Sequence, residues 1–270
     1  LSKDLPKKKG KKGEDSKQPE SNEQKSTLLY FSPDEITNMA AAIQKTRAEK
    51  VDADAKALKK AAAQTLGKRV PKDAADIALF GRMVSNAPDV NVEGAAMFSH
   101  ALSTHKCEND IDFWTAVDDE KKSGDAGAGN MGTIEFTSAA YYRYIAVNLD
   151  MLKAHLGTLE PKDRQEIVKT FLRAALMALP EKGRRNSMNA LTLPSYVIGI
   201  VKEKGQPIQL VNAFEKHVWS KDGLIKGSVE AMKSHHADLK KTWNIETKAE
   251  VEIPPSDLNA FCAELVKYVI

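Results

Sequence analysis

The hydrophobic pattern along the chain changes period several times, and each change marks an element. Residues 1–27 hold almost nothing apolar after Leu5. So little burial cannot offset the entropy of ordering, and the stretch reads as a disordered linker. At Leu28 the character changes. Ser32, Pro33 and Glu35 form a helix start, with an N-cap hydroxyl, a proline in the first turn and a carboxylate at the third position. That start predicts a helix over 33–50, and a second follows over 53–66. A short run from Asp76 to Phe80 predicts a third helix, stopped by Gly81. Arg82 and Met83 then stand at the mouth of a loop ended by Asn86 and Pro88. The stretch 92–103, rich in alanine with Phe98 and Leu102 near helical spacing, predicts another helix.

From His105 to Tyr144, β-prone residues take over. One run holds Ile111, Phe113, Trp114, Thr115 and Val117; the other holds Thr133, Ile134 and Phe136, then Tyr141, Tyr142 and Tyr144. Aromatic and β-branched side chains suit a pleated, half-buried surface. Between the runs lie Asp118, Asp119, Glu120, Lys121, Lys122, Ser123 and closely spaced glycines ending at Gly132. No core can be built from such a loop, so it is expected to be exposed and mobile. The stretch predicts a β-hairpin arm that projects from the body and touches nucleic acid. After the arm, 142–147 reads as a buried strand. Glu160 and Pro161 open a helix to about Leu179, with Ile167, Phe171, Leu172, Ala175 and Leu176 on one face. Gly183, Arg184, Arg185 and Asn186 make a polar turn. A strand over 196–201, helices over 211–219 and 228–242, and a short helix from Ser256 complete the pattern. Strand, helix and strand after an inserted arm predict an α+β fold with part of a ferredoxin-like sheet.

At 270 residues the chain has room for one large domain or two small ones. It contains no run of about 18 apolar residues, so no membrane span is expected. No apolar signal region follows the N-terminal lysines. Cys107 and Cys262 lie far apart without CxxC spacing, which fits a cytoplasmic chain with free thiols and argues against zinc. Residues 1–27 carry eight Lys against five Asp and Glu, a surplus that equals the net charge of the whole chain, +3. Bulk charge therefore does not announce a nucleic-acid binder, and phosphate contacts must come from local placement of Lys and Arg. The chain opens on a linker without Met, which suggests that an N-terminal piece precedes it.

Several constellations bear on chemistry. Gly127, Gly129 and Gly132 spell GAGNMG, a match to the dinucleotide fingerprint. That motif needs a strand before it and a helix after it. Here an acidic loop precedes and strand-like residues follow, so the glycines read as loop flexibility. Asp118, Asp119 and Glu120 could hold a metal, although consecutive loop carboxylates are ordinarily just solvated. His100 and His105 have no evident nucleophile beside them and read as capping or packing side chains. Lys56, Lys59 and Lys60 spread over adjacent faces of the second helix, as a solvated surface or a binding stripe. Met83 either fills the core, as methionines usually do, or stands out as a wedge past the helix end.

Four pieces in order, DIALFGRM, GAAMFSHALSTH, DIDFWTAVDD and GTIEFTSAAYYRY, together resemble the CasC family. These are the repeating backbone subunits of the type I-E CRISPR surveillance complex, Cascade. The resemblance extends through NAFEKHVW and KDGL, from Leu28 to about Gly227, and is less clear beyond. It implies a hand: an RRM-like (ferredoxin-like) palm, a helical finger insertion and a β-hairpin thumb. The corresponding organisation is a basic linker over 1–27, fingers over 28–104, thumb over 105–137, palm over 138–227 and a helical segment over 228–270. The family's opening palm strand and its helix with an SSQ-type motif have no counterpart here, so the palm is incomplete. In the family, the thumb of one copy folds over guide RNA on the next copy's palm and unstacks one nucleotide at regular intervals. The resemblance places Trp114 and Thr115 at the thumb's bend, and Met83 at the family's Met, with Arg82 beside it as a further RNA contact. Arg184 and Arg185 match a basic turn near the RNA backbone, and Lys56, Lys59 and Lys60 lie where the family meets target DNA.

The expectation is a non-enzymatic subunit, without metal or cofactor, that polymerises head to tail along CRISPR RNA. Target DNA and other Cascade subunits are its further partners, with no membrane contact. Sequence discrimination falls to base pairing, and the protein supplies shape, stacking and phosphate contacts. Two alternatives stay open. One is a metal-dependent ribonuclease subunit that cuts target RNA with a loop Asp, Asp118 being the candidate. The other is a protein-interaction module whose arm binds another protein and no nucleic acid.

Overall fold

Ser32 and Glu35 form the capping box that their spacing predicts. The Ser32 hydroxyl accepts the Glu35 amide at 3.1 Å, and the Glu35 carboxylate accepts the Ser32 amide at 3.0 Å. Two amides otherwise orphaned at a helix start are thereby satisfied. Helix α1 (Pro33–Glu49) follows, and α2 (Ala55–Thr65), capped by Asp54, packs back on it. The computed structural model describes residues 30–50, 52–66, 74–84, 88–116, 130–178, 193–219 and 221–270. Within them the fold is α+β, with seven α-helices and four small antiparallel sheets, each of two strands.

The Glu35 carboxylate has a second partner. Arg82 Nη1 donates to Glu35 Oε2 at 2.7 Å, with the two side chains 2% and 5% exposed. Arg82 Nε also donates to the Val90 carbonyl at 3.0 Å, and the guanidinium lies 5.8 Å from the Phe31 ring centre. A buried ion pair is tolerated only where further hydrogen bonds and good geometry offset the lost hydration. Both are present, so the start of α1 is tied to the segment that follows α3 (Ala75–Phe80).

The main core lies between α3, α4 (Leu149–Leu156), α5 (Pro161–Met177) and the C-terminus. Ile77, Leu79, Leu152, Leu156, Val168 and Phe171 fill it. Arg164 on α5 is buried and donates to the carbonyls of Ile270, at 2.9 Å, and Leu159. It thereby ties the chain end to the turn after α4.

The helix predicted over 92–103 does not form. Instead β1 (Ala96–Phe98) pairs with β6 (Ile145–Val147), and β2 (Leu102–Ser103) pairs with β5 (Tyr141–Tyr142). Alanine is the best helix former, but intrinsic propensity is a weak force beside tertiary context, and long-range pairing with the β-branched residues Ile145 and Val147 overrides it. The arm forms as β3 (Asp110–Ala116) and β4 (Asn130–Phe136). Over 211–219 only a 3-10 turn, Val211–Phe214, forms. It packs on Tyr142, whose hydroxyl accepts the Leu210 amide at 2.9 Å. Burial pushes that hydroxyl's pKa up, against the pull of the Leu210 hydrogen bond.

The C-terminal segment is not wholly helical. After α6 (Leu224–Trp243), β8 (Ala249–Ile253) pairs antiparallel with β7 (Val197–Val201), and α7 (Leu258–Val266) follows. The register puts Val197, Gly199, Val201, Val251 and Ile253 on one face. There a Cβ on Gly199 would lie 2.7 Å from Leu265 and 2.8 Å from Phe261, so the missing side chain is what lets α7 sit on the strand. On the other face Glu252 pairs with Lys233 at 2.6 Å, and Glu250 pairs with Lys240 at 2.5 Å, both lysines from α6. No helix among the described residues is long and apolar enough to cross a membrane.

Two outcomes are expected. Arg82→Ala leaves the Glu35 charge buried and should cost about 3–5 kcal/mol in urea unfolding, where an exposed pair would cost under about 1 kcal/mol. Replacing both residues by apolar side chains of similar volume should cost less than Arg82→Ala alone. Glu250 makes the second case. Burial disfavours its charge, but hydrogen bonds from Lys240 and Thr247 and the Lys240 and His236 charges outweigh it and hold its carboxyl below the ordinary range. Such a group contributes stability above its unfolded pKa and loses it as pH falls through the folded value. Below about pH 4.3, Glu250→Gln should therefore lose stability less steeply than the unsubstituted chain in acid-unfolding curves.

Candidate nucleic-acid interface

Met83 sits on an extended stretch that is fixed on both sides. Gly81 ends α3 at φ +79, and a Cβ there would lie 2.7 Å from the Val92 carbonyl oxygen and 2.8 Å from the Gly94 nitrogen. Both the dihedral and the approach require glycine. Arg82 and Val92 then exchange two backbone hydrogen bonds of 2.9 Å, and the Val84 amide donates to Asn91 Oδ1 at 2.6 Å. Successive side chains on extended backbone point to opposite sides. Arg82 and Val84 accordingly point inward, 5% and 6% exposed, and Met83 points out at 84%.

The same alternation corrects the expectation for Arg82. Placed with Met83 as an RNA contact, it instead spends its guanidinium inside, on Glu35 and Val90. Only one of two adjacent residues on this stretch can face solvent. Three residues before Met83, Phe80 stacks on Phe98 at 6.0 Å between ring centres, and both rest on buried Phe171. Phe80 and Phe98 are themselves exposed. This surface aromatic pair was not evident from the sequence, because Phe98 was read on a helix.

The arm is a two-stranded ribbon with apolar side chains on both faces. Its register pairs Trp114 with Gly132, Asp112 with Ile134 and Asp110 with Phe136 on one face, and Ile111 with Glu135 and Phe113 with Thr133 on the other. Ile111, Phe113, Ile134 and Phe136 are all exposed, and Trp114 is 38% exposed. Thr115 is exposed too. The Trp114 indole owes its partial cover to its partner: a Cβ on Gly132 would lie 2.8 Å from the indole ring carbons. The ring therefore lies across the neighbouring strand and has one face left open. Gly132, read as a flexible loop residue, is a seat for that indole.

The foot of the ribbon is braced by His105. Its Nε2 accepts the Ala140 amide at 3.1 Å, so in the neutral ring the proton is on Nδ1, which donates to the Lys106 carbonyl at 2.7 Å. Both nitrogens are used, which makes it the packing histidine that the sequence suggested. Asn109 adds side-chain hydrogen bonds to Glu135 at 3.1 Å and Thr137 at 2.7 Å.

Lys56, Lys59 and Lys60 are exposed on α2. Their i, i+3, i+4 spacing puts them on one stripe rather than on separate faces. Arg184, Arg185, Asp118, Asp119, Glu120, Gly127 and Gly129 lie outside the described residues. Among the described residues no group of three or more His, Cys, Asp or Glu side chains could hold a metal ion. The arrangement can therefore offer an apolar wedge, an open indole face and a lysine stripe, the first two on backbone that hydrogen bonds hold in place. Gly132→Ala should lift the indole off β4 while leaving the strand backbone in place. With Trp219 and Trp243 changed to Phe, the emission of Trp114 should then move to longer wavelength, and unchanged emission would contradict the seat.

A family model described as CT1975-like protein matches residues 2–261. No curated protein matches the chain. Among solved structures, one similar chain comes from a pre-nicking CRISPR RNA-guided surveillance complex, at 27% identity and a TM-score of 0.69, covering 91% of this chain and 70% of that one. Another, from a CRISPR RNA-guided surveillance complex, has 27% identity and a TM-score of 0.60, covering 87% of this chain and 85% of that one. With almost its whole length matched, the chain belongs to the CT1975-like protein family.

Proposed function

We propose that the chain is a non-catalytic backbone subunit of a type I-E Cascade complex in CRISPR antiviral defence. Copies polymerise head to tail along a CRISPR RNA and hold it in short segments for pairing with target DNA. An RRM-like palm carries the guide, and the ribbon of one copy reaches over the guide on the next. The observation that carries this reading is the presentation of Met83: an apolar side chain 84% exposed between two buried, hydrogen-bonded neighbours. A thioether held out in water gains nothing for the fold, but it can replace a lost base stack. The open face of Trp114 supplies a second surface of the same kind, indifferent to base identity. The likeness to chains of RNA-guided surveillance complexes supports the same reading. The exposed stripe of Lys56, Lys59 and Lys60 suits the phosphates of the target strand, and Thr115 offers a hydroxyl on the ribbon face opposite the indole.

Trp114→Ala and Met83→Ala should each weaken guide binding by about 1–3 kcal/mol per engaged base. They should also abolish the regular pattern of unstacked, chemically reactive nucleotides. Lys8→Ala should weaken guide binding less than Trp114→Ala does. Gel shift and nucleotide probing on the assembled complex decide this; equal losses for Trp114→Ala and Lys8→Ala would refute the ribbon's role. Asp118→Ala should leave any cleavage of target by the complex unchanged, whereas a metal-dependent loss would favour the ribonuclease reading.

A further inference from the structure

The stem of the ribbon shows solvent two apolar faces. Ile111 and Phe113 on one face are 66% and 61% exposed, and Ile134 and Phe136 on the other are 47% and 55% exposed. Among the described residues β3 and β4 pair only with each other. Two strands alone bury too little to be repaid for holding four such side chains in water. A contiguous apolar surface of this kind marks a contact with another molecule.

Charge decides what kind of molecule. Asp110 and Asp112 share the indole face, and Glu135 lies on the opposite one. All three are exposed. Asp110 and Asp112 stand about 7 Å apart along one strand face. Neither strand contains a Lys or Arg. Asn109 donates to Glu135 at 3.1 Å, but a neutral donor leaves the carboxylate's charge in place. The ion pair at the foot, Lys106 with Glu108 at 3.0 Å, balances itself. Both faces of the stem are therefore apolar and anionic. A strand of nucleic acid brings one phosphate per nucleotide, and these carboxylates repel it. A protein surface edged by Lys or Arg is attracted by the same charges.

The sign of the rest of the chain points to which protein. Residues 110–136 carry seven Asp and Glu against two Lys, a net charge of −5. The other residues beyond the N-terminal 27 carry 30 Lys and Arg against 25 Asp and Glu, a net charge of +5. A body and a projecting arm of opposite sign attract their own copies, and two different surfaces that meet in this way build a head-to-tail contact.

We infer that the stem of the ribbon docks on a second copy of this chain, in an apolar groove edged by Lys or Arg. Contact of the ribbon with nucleic acid is then confined to the end that carries Trp114. The stem holds the arm in place, and the indole meets the base. The inference rests on the assembly proposed above in one respect, that copies stand side by side. It does not require Trp114 to stack on a base.

The test is zero-length carbodiimide crosslinking, which joins a carboxylate to an amine, on complete complexes assembled from mixed light and 15N-labelled copies. Mass spectrometry should find Asp110, Asp112 or Glu135 joined to a lysine of the other label. Links within one label only, links to a different subunit, or no link from the stem would each overturn the docking. Charge removal adds a test of sign. Asp110→Asn with Asp112→Asn should weaken association between copies about three- to tenfold, counted by native mass spectrometry as copies per guide, and the two Asp→Glu changes should retain it. Phe113→Ala, on the face away from the indole, should weaken it by a similar factor or more. Stronger strand binding by the Asp→Asn variant, with association unchanged, would place the stem on phosphates and overturn the inference. Stem links that persist in Trp114→Ala, together with an unaltered pattern of reactive nucleotides, would refute the indole's guide contact and leave the docking standing.

Discussion

One buried charge pair joins parts of the chain that sequence keeps far apart. Glu35 opens α1, and Arg82 follows α3, yet they meet at 2.7 Å out of water. In a low dielectric a charge without partners is costly, so each side chain has one acceptable position. Glu35 must serve the capping box and the guanidinium together. Arg82 must reach Glu35 and Val90 while its backbone pairs with Val92. The backbone at Met83 inherits that precision. Under the function proposed above, that backbone would have little freedom left to lose on meeting a strand.

How much of this could be read from the sequence depended on how local the signal was. The capping box at Ser32 and Glu35, the stop at Gly81 and the two runs of the ribbon are short-range signals, and each forms where the pattern put it. Long-range pairing was hidden. The alanine-rich stretch around Ala95 and Ala96 has a helical composition, and only the strand at Ile145–Val147 makes it extended. The inward turn of Arg82 was hidden for the same reason, since its partner lies on another helix. Other misses had visible signals. Ala249, Val251 and Ile253 alternate with Glu250 and Glu252, a period of two that marks a half-buried strand. Asn148 caps the short helix α4 by accepting the Met151 amide, just past the strand read over 142–147 and in a stretch given no element of its own.

The exposed residues of the candidate interface share a design. Met83 lies between buried neighbours, and the Trp114 indole rests on Gly132. In each case the side chain that meets solvent is large and apolar, and the adjoining backbone or partner strand limits its movement. Surface apolar groups scattered singly need no explanation. Here they stand on scaffolds that cost something to build, including a left-handed glycine at Gly81 and an ion pair drawn out of water.

The ribbon has a consequence for the chain on its own. Among the described residues β3 and β4 pair only with each other, so each keeps an outer edge with unpaired amides and carbonyls beside exposed Ile111, Phe113, Ile134 and Phe136. Open edges of that kind recruit further strands indiscriminately. At high concentration, unassembled copies should stick to one another through these edges. A partner that covered the ribbon would therefore also keep newly made chains from precipitating.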